Sequence, residues 1–125
     1  MTASALLLRQ IHPGFVQNGR PTSQAFRPTP KDEDMLSVYD GDQIQPRAAW
    51  EHYTRSLGLH SAGVMGIAAG ECAAVTLPVF ADPAPFPEHC LIDFSGLTKN
   101  EADKKAKLLA QFAITRDWLF TPPPT

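Results

Sequence analysis

Apolar residues along the chain fall into short runs that end near Gly, Pro or Asp, a pattern typical of strands joined by turns. We predict strands over 5–11, 36–39, 62–68, 75–80 and 90–94. The last three of these runs are the candidates for a central sheet.

The intervening stretches give weaker patterns. Residues 15–18 predict one helical turn that stops at Gly19, and residues 22–27 predict a short extended segment. The polar, proline-containing stretch 28–34 predicts an exposed loop. Residues 69–74 are too few for more than a single helical turn.

A helical periodicity begins at Pro46, because the first position of a helix tolerates the missing N–H donor of proline. Apolar residues then recur at helical spacing, and Gly58 predicts the end of this helix. The apolar stripe consists of Ala49, Trp50, Tyr53 and Leu57.

The clearest helix signal is Thr98 followed after three residues by Glu101, a capping box in which each side chain satisfies the backbone N–H of the other residue. Opposite charges four residues apart favour the same helix, namely Glu101 with Lys105 and Asp103 with Lys107. Its apolar face consists of Ala102, Ala106, Leu109 and Ala113.

These elements predict an α+β domain over residues 1–120, with a small mixed or antiparallel sheet of about five strands and two main helices packed on it. A proline-rich tail over 121–125 follows. The 12 prolines among 125 residues are about twice the usual share, so we expect proline-rich, stiff loops. An apolar fraction of 43% predicts a packed core.

Cys72 and Cys90 are too few for a disulfide framework, so the sequence favours a reducing, cytoplasmic location. Residues 1–8 lack the basic start and the length of a signal peptide. The longest apolar run, 62–69, is too short to span a membrane, and we expect no membrane association.

The net charge of −2 makes nucleic acid an improbable partner. The charges are unevenly distributed, because residues 1–31 hold only basic charges and residues 32–42 hold only acidic ones. The simplest expectation is that these two blocks neutralise each other.

The basic block offers one candidate ligand site. Arg20 and Arg27 carry guanidinium groups suited to phosphate oxygens, and Thr22 and Ser23 add neutral hydroxyl donors. This set favours a nucleotide or another phosphorylated small molecule, although no phosphate-binding motif of fixed spacing accompanies it. The alternative is that both arginines pair with the acidic block.

His12 and Tyr39 are candidates for catalysis, since both stand at predicted strand ends, where site residues gather. If the first two strands are neighbours, His12 would transfer a proton and Tyr39 would position or stack on a base. A hydrogen bond to a nearby loop carbonyl is the simpler explanation of His12. Asp40 and Asp42 flank a glycine, and turn formation explains them more simply than catalysis.

No metal and no cofactor is expected. Residues 88–90 and Asp93 include ligand-type side chains, but neighbouring strand residues point to opposite faces, so His89 and Cys90 cannot bind one ion together. Cys72 stands beside Glu71, which disfavours a reactive thiolate. Motifs of the common enzyme classes do not occur.

Two functions remain open. The first is a non-catalytic binding or accessory module that recognises a protein partner through a groove and proline-stiffened loops, with Phe80 and Phe86 as exposed aromatic anchors. The second is a small transferase or hydrolase acting on a nucleotide or phosphorylated ligand. The scatter of its candidate residues over successive strands resembles small ADP-ribosyl-transferring domains in arrangement only, and no motif of that family is matched.

Overall fold

The computed structural model describes residues 1–124 and has a five-stranded antiparallel sheet at its centre. The order of the sheet is β5-β1-β4-β7-β6, so β5 and β6 form its edges, while β2 and β3 pair separately as a small hairpin. In chain order the strands are β1 (Leu6–Ile11), β2 (Val16–Gln17), β3 (Arg20–Pro21), β4 (Met35–Asp40), β5 (Gly63–Ala68), β6 (Val79–Ala81) and β7 (His89–Asp93).

Three α-helices pack on this sheet, namely α1 (Pro46–Glu51), α2 (Ala69–Ala74) and α3 (Lys99–Arg116). Helix α1 continues directly into a π-helical turn over His52–Ser56. Short 3-10 turns occupy Pro13–Phe15, Ser23–Phe26 and Pro30–Asp32. Within residues 1–124, no helix has the length and apolar character needed to cross a membrane.

The core lies mainly between the sheet and α3. Alternate strand residues such as Leu7 and Ile11 pack in one cluster with Leu109 of α3, and all three are fully buried. Helix α1 covers part of the opposite face, where Ala49 packs with Leu8. The rest of that face, over β1, β4 and β7, borders a cavity.

The structure confirms the predicted α+β class and shows that the sheet is antiparallel rather than mixed. The strands predicted over 5–11, 36–39, 62–68 and 90–94 correspond closely to β1, β4, β5 and β7. The two predicted helices correspond to α1 with its π-helical extension and to α3, which begins at the predicted Thr98 cap.

The strand predicted over 75–80 is wrong over most of its length, because β6 begins only at Val79. Helix α2 ends at Ala74 with Val75 as its C-cap, and Thr76 then takes a left-handed φ of 57° that a strand does not permit. Leu77 is buried directly after this turn. Its apolar side chain therefore reflects core packing rather than strand formation.

The helical turn predicted over 15–18 is also wrong, because β2 and β3 form a hairpin there. Asn18 and Gly19 make its turn, with left-handed φ values of 53° and 76°. An Asn-Gly pair is the residue combination that two-residue hairpin turns prefer. The turn signal is therefore present in the sequence and outweighs the glycine stop of a helix.

The extended segment predicted over 22–27 is a 3-10 turn at Ser23–Phe26. Phe26 is completely buried in this turn and belongs to the core that α3 covers. Tertiary packing of this aromatic ring thus overrides the local preference of the segment.

The charged side chains pair differently from the expectation. Arg27 forms an ion pair with Asp103 of α3, so Asp103 is not the helix-surface partner of Lys107. Lys105 donates to the carbonyl oxygen of Val75 at 2.5 Å and forms no ion pair with Glu101. Within residues 1–124, no ion pair joins the basic block to the acidic block.

The end of the chain lies along edge strand β5. Phe120 forms an isolated antiparallel bridge with Val64, and residues 121–124 follow without helix or strand. Thr125, the last residue of the predicted proline-rich tail, lies outside the described residues.

Candidate functional site

A cavity of about 390 Å³ opens over β1, β4 and β7, on the sheet face opposite α3. The π-helical turn, the loop before β4 and the loop before β7 form its walls. Its volume lies within the range of small-molecule pockets. The main polar residues that line it are Arg9, Gln10, Ser37, Tyr39, Tyr53 and His89.

Arg9 lies at the point where β1 and β4 cease to pair. The ladder between these strands stops after Leu8 pairs with Tyr39. The Arg9 guanidinium bonds to backbone beyond that point, because Nη1 donates to the carbonyl oxygen of Ser37 at 2.9 Å and Nε donates to that of Ala25 at 2.8 Å. The charged group is thereby held in one orientation at the cavity.

The charge of Arg9 has no carboxylate partner within ion-pair distance in the described part of the chain. Burial lowers the pKa of the Arg9 guanidinium, and the nearby Tyr53 and Asp32 offset only part of this effect. The Asp32 carboxylate accepts from the backbone N–H and the hydroxyl of Thr29, at 2.8 and 2.7 Å. Arg9 is half-buried and has no carboxylate at ion-pair distance, so its charge is placed to attract an anion bound in the cavity.

Gln10 carries a hydrogen-bond donor that has no partner. Its side chain is buried, and Oε1 accepts a hydrogen bond of 2.7 Å from Ser61 Oγ. Nε2 has no hydrogen-bond partner among residues 1–124. An unpaired buried donor costs about 1–3 kcal/mol, so native proteins rarely keep one without a reason. The Gln10 amide is therefore available to an acceptor bound in the cavity.

His89 connects Asp82 to Ser37. Its Nδ1 lies 3.0 Å from the carbonyl oxygen of Asp82 and 3.2 Å from the Oδ2 atom of that residue. Both atoms are acceptors in the ionised residue, so Nδ1 carries the hydrogen and Nε2 of the neutral ring is an acceptor. Nε2 lies 3.1 Å from Ser37 Oγ, which therefore donates to it. The lone pairs of this serine oxygen remain free.

Phe86 is the centre of an aromatic wall. Its ring centroid lies 5.0 Å from that of Tyr39, 4.6 Å from that of His52 and 5.0 Å from that of His89. The Tyr39 hydroxyl and His52 Nδ1 form a hydrogen bond of 2.8 Å. Burial is the main cause that raises the pKa of Tyr39, so its hydroxyl stays protonated at neutral pH.

The π-helical turn brings Tyr53 and Leu57 to the cavity. A π-helical turn changes the direction in which following side chains point, and such turns are frequent at functional sites. Tyr53 was expected only as part of the apolar stripe of the helix. The structure places it in the lining of the same cavity as Arg9.

The cavity is lined by polar side chains together with aromatic and aliphatic ones. Arg9 supplies a positive charge, Gln10 a free amide and Tyr53 a hydroxyl. Asp32 is the one acidic residue among those that line it. This combination suits an anionic ligand with a planar apolar part.

A second cavity of about 500 Å³ lies between the loop before β4 and the start of α3. It is larger, but the Arg27 guanidinium beside it is already neutralised by Asp103. The smaller cavity is the better candidate, because its cation and its buried amide both lack partners of the kind they require.

Of the residues predicted for a site, the structure brings Tyr39 and Phe86 into the cavity. His12 lies elsewhere, exposed, with Nδ1 accepting from the backbone N–H of Gly14 at 2.9 Å. Its ring is 6.4 Å from that of His60. His12 thus bonds to its own loop, but it accepts from a backbone N–H and makes no bond to the loop carbonyl that was its simpler explanation. It is not among the residues that line the cavity with Tyr39.

The predicted phosphate-binding residues do not share one surface. Arg20 lines a concavity beside Asp117, and Arg27 lines the separate cavity near α3. Thr22 and Ser23 are half-buried at the start of a 3-10 turn and border neither of these two cavities.

The two predicted aromatic anchors are also separated. Phe80 is 42% exposed on edge strand β6, as expected. Phe86 is half-buried in the aromatic wall and does not project from the proline-rich loop. The loop from 82 to 88 therefore serves partly as a wall of the cavity.

Arg9, Gln10, Ser37 and Asp82 are site residues that the sequence patterns did not indicate. One signal was present, because Arg9 and Gln10 interrupt an apolar run inside a predicted strand. Ser37 and His89 stand 52 positions apart and meet only through the pairing of β4 with β7. The prediction that His89 and Cys90 face opposite sides agrees with the burial of Cys90 in the core below α3.

Comparison of the chain with protein-family models, curated proteins and solved structures gives no match. Among residues 1–124, no three His, Cys, Asp or Glu side chains are grouped so as to hold a metal ion.

Proposed function

We propose that the protein binds a nucleotide or another small phosphorylated ligand in the cavity over β1, β4 and β7. The observation that carries this proposal is the Arg9 guanidinium, which has carbonyl partners but no carboxylate partner among the described residues. A phosphate would supply the missing negative charge. Arginine binds phosphate well because its planar N–H groups match the phosphate oxygens.

The free amide of Gln10 supports the same ligand class. Its Nε2 is a donor, and phosphate offers several acceptor oxygens. An acceptor bound in the cavity would give this amide the partner that the described residues do not supply.

The aromatic wall supports a planar group on the ligand. Tyr39, Tyr53 and Phe86 border the cavity beside the polar groups. Stacking of a base on an aromatic side chain contributes about 1–3 kcal/mol and tolerates different bases. A nucleoside monophosphate combines a phosphate with such a flat ring system.

Thermal unfolding with matched ligands tests the proposal, because a ligand that binds only the folded state raises the Tm. We expect AMP to raise the Tm most, inorganic phosphate to raise it less, and adenosine without phosphate to raise it least. If none of the three changes the Tm and isothermal titration detects no binding, the proposal is wrong.

Two arginine variants locate the site. Arg9→Met removes the cavity charge, while Arg20→Met removes the same charge from a separate surface. We expect Arg9→Met to weaken AMP binding by roughly tenfold or more, since hydrogen bonds to charged groups contribute about 1.5–3 kcal/mol. Arg20→Met should bind as the wild type does. Equal losses in both variants would contradict a specific site.

Gln10→Leu provides a second test of the site in case Arg9→Met does not fold. This variant removes an unpaired buried donor. Ser61 Oγ loses Gln10 Oε1 as an acceptor but keeps the carbonyl oxygen of Gly63 at 2.9 Å, so the stability should stay close to that of the wild type. We expect weaker AMP binding without loss of Tm in the ligand-free protein. Unchanged binding would show that the amide does not contact the ligand.

A partner-binding function is the second candidate, and one observation favours it. Phe80 is 42% exposed on the edge strand β6. In the described structure no further strand pairs with the outer edge of β6, so this edge can pair with a strand of another chain. Photo-crosslinking from position 80 in cells tests this, with exposed position 108 of α3 as the control. A single crosslinked species from position 80 alone would support it, and identical patterns from both positions would contradict it.

A further inference from the structure

We propose that Ser37 is a nucleophile activated by His89 and Asp82, and that it takes a phosphoryl group from the ligand bound at Arg9. This inference rests on the proposed phosphate-binding function of the same cavity. It goes further, because it assigns a reaction to a site for which binding alone has been argued.

The geometry is that of a nucleophile, a general base and a positioning group. His89 Nε2 lies 3.1 Å from Ser37 Oγ, and His89 Nδ1 lies 3.2 Å from Asp82 Oδ2. These distances bring the base within hydrogen-bond reach of the proton that it has to remove. The same arrangement of three side chains recurs on unrelated folds and is recognised by its geometry.

Exposure and tautomer favour this assignment. Ser37 is exposed toward the cavity, whereas His89 is only 7% exposed. Because Asp82 accepts from Nδ1, the neutral ring presents a lone pair to the serine hydroxyl. The backbone carbonyl of Asp82 thus favours the tautomer able to accept the proton, and its carboxylate, 3.2 Å from Nδ1, is the positioning group that would stabilise positive charge on the ring.

Arg9 determines which group Ser37 would attack. Its Nη1 donates to the carbonyl oxygen of Ser37 itself at 2.9 Å, so the guanidinium lies next to the nucleophile residue. Arg9 and Ser37 also line the same cavity, so a phosphate bound at Arg9 shares that cavity with the Ser37 hydroxyl. A carboxylic ester would need two separate groups, an anionic group to bind Arg9 and a carbonyl carbon for Ser37 to attack. A phosphate ester needs only one, because the charged phosphate is also the group that is attacked.

The first step forms a bond from Ser37 Oγ to phosphorus and breaks the bond from phosphorus to the leaving oxygen. The Ser37 proton passes to His89 Nε2 and then to the leaving oxygen, which departs as an alcohol. In the second step a water gives a proton to His89 and attacks phosphorus. Ser37 Oγ leaves with that proton, so the net reaction converts a phosphate monoester and water into an alcohol and inorganic phosphate.

Monofluorophosphate is a suitable probe, because it is a small phosphate analogue whose fluoride is a good leaving group. The full chain is incubated with it, fluoride release is followed, and the phosphorylated residue is located by peptide mass spectrometry after acid quenching. We expect a phosphoryl adduct on Ser37 and fluoride release. An adduct on any other residue, or fluoride release without dependence on Ser37, overturns the inference.

Variants separate the roles. Ser37→Ala should lose the adduct and still bind inorganic phosphate, whereas Ser95→Ala, an exposed serine after β7, should react as the wild type does. His89→Gln should slow adduct formation on the order of 10²-fold or more, the usual contribution of a general base. A wild-type rate in His89→Gln overturns the role of His89.

Asp82→Asn tests the positioning role of the carboxylate. The backbone carbonyl oxygen of residue 82 stays 3.0 Å from Nδ1, so the Nδ1–H tautomer should persist in nitrogen NMR and only the negative charge is lost. We expect slower phosphorylation in Asp82→Asn with an unchanged tautomer, and partial recovery of the rate in Asp82→Glu, which restores the charge. A wild-type rate in Asp82→Asn, or no recovery in Asp82→Glu, overturns the positioning role.

Phosphate binding distinguishes failure of this inference from failure of the proposed function. If titration shows phosphate binding at Arg9 but no adduct forms on Ser37, the cavity binds without reacting and the inference is wrong. If neither binding nor adduct is found, the proposed function fails as well. Turnover of p-nitrophenyl acetate but not of p-nitrophenyl phosphate would overturn the assignment to phosphoryl transfer.

Discussion

The guanidinium of Arg9 donates to the carbonyl oxygen of Ser37 at 2.9 Å, across the point where β1 and β4 part. One side chain thus has two effects. It satisfies backbone carbonyl groups that no strand pairs, and it holds a positive charge beside the exposed hydroxyl of Ser37. Folding and the candidate site therefore depend on the same residue.

This dependence predicts the effect of Arg9→Lys on stability. A lysine ammonium keeps the charge but lacks the fork that reaches Ala25 and Ser37 together. One carbonyl oxygen would lose its partner, so we expect the free energy of unfolding to fall by about 1–3 kcal/mol. Urea denaturation measures this change. Arg20→Lys, an exposed control, should stay within about 0.5 kcal/mol of the wild type.

The contacts of His89 predict its tautomer. With Asp82 accepting at Nδ1, the neutral ring should be almost entirely in the Nδ1–H form. Two-bond proton–nitrogen NMR correlations of the four histidines in the chain will identify it. A predominant Nε2–H form would contradict the described contacts, because Nε2 would then donate to Ser37.

Neighbouring leucines on α3 should differ strongly in their contribution to stability. Leu109 is fully buried, so Leu109→Ala is expected to lower the free energy of unfolding by about 2–5 kcal/mol. Leu108 is 47% exposed, and Leu108→Ala should change it by less than about 0.5 kcal/mol. Equal effects in chemical denaturation would mean that the helix faces the sheet in a different orientation.

The capping box predicts a stability loss at the start of α3. Thr98→Ala removes the acceptor of the Glu101 backbone N–H and should cost about 1 kcal/mol. Thr115→Ala, near the other end of the same helix, removes a hydroxyl that caps no backbone group and should be close to neutral. A smaller loss for Thr98→Ala than for Thr115→Ala would contradict the capping role.

The same box contributes to acid sensitivity. Hydrogen bonds from the backbone and side chain of Thr98 lower the pKa of Glu101, so its contribution to stability is present above its unfolded pKa and is lost as the pH falls. Glu101→Gln should therefore lose less stability than the wild type between neutral and acidic pH. Urea midpoints across this range check the difference.

Burial predicts that both cysteines are unreactive in the folded protein. It raises the pKa of the Cys72 thiol to about 12 and also raises that of Cys90. Iodoacetamide at mildly alkaline pH should label neither free cysteine in the native chain and both after unfolding. Rapid labelling of native Cys72 would show that α2 opens or that its thiol lies outside the core.

The sequence by itself determined most of the secondary structure, for a local reason. Strands β1, β4, β5 and β7 follow from apolar runs between turn residues, and α3 follows from the Thr98–Glu101 box. Both signals act over a few residues, which is the distance over which a sequence pattern can be read directly. Where packing competes with local preference, as at Phe26 and Leu77, the sequence prediction was wrong.

The candidate site was decided by tertiary structure. Tyr39 and Phe86 were predicted from their types and positions, but Ser37, His89 and Arg9 come together only when β4 pairs with β7 and separates from β1. Pairing between strands that are far apart in the sequence depends on the whole core, so local sequence patterns do not predict it. The half-buried charge of Arg9 and the unpaired buried amide of Gln10 likewise arise only once the surrounding chain has folded around them.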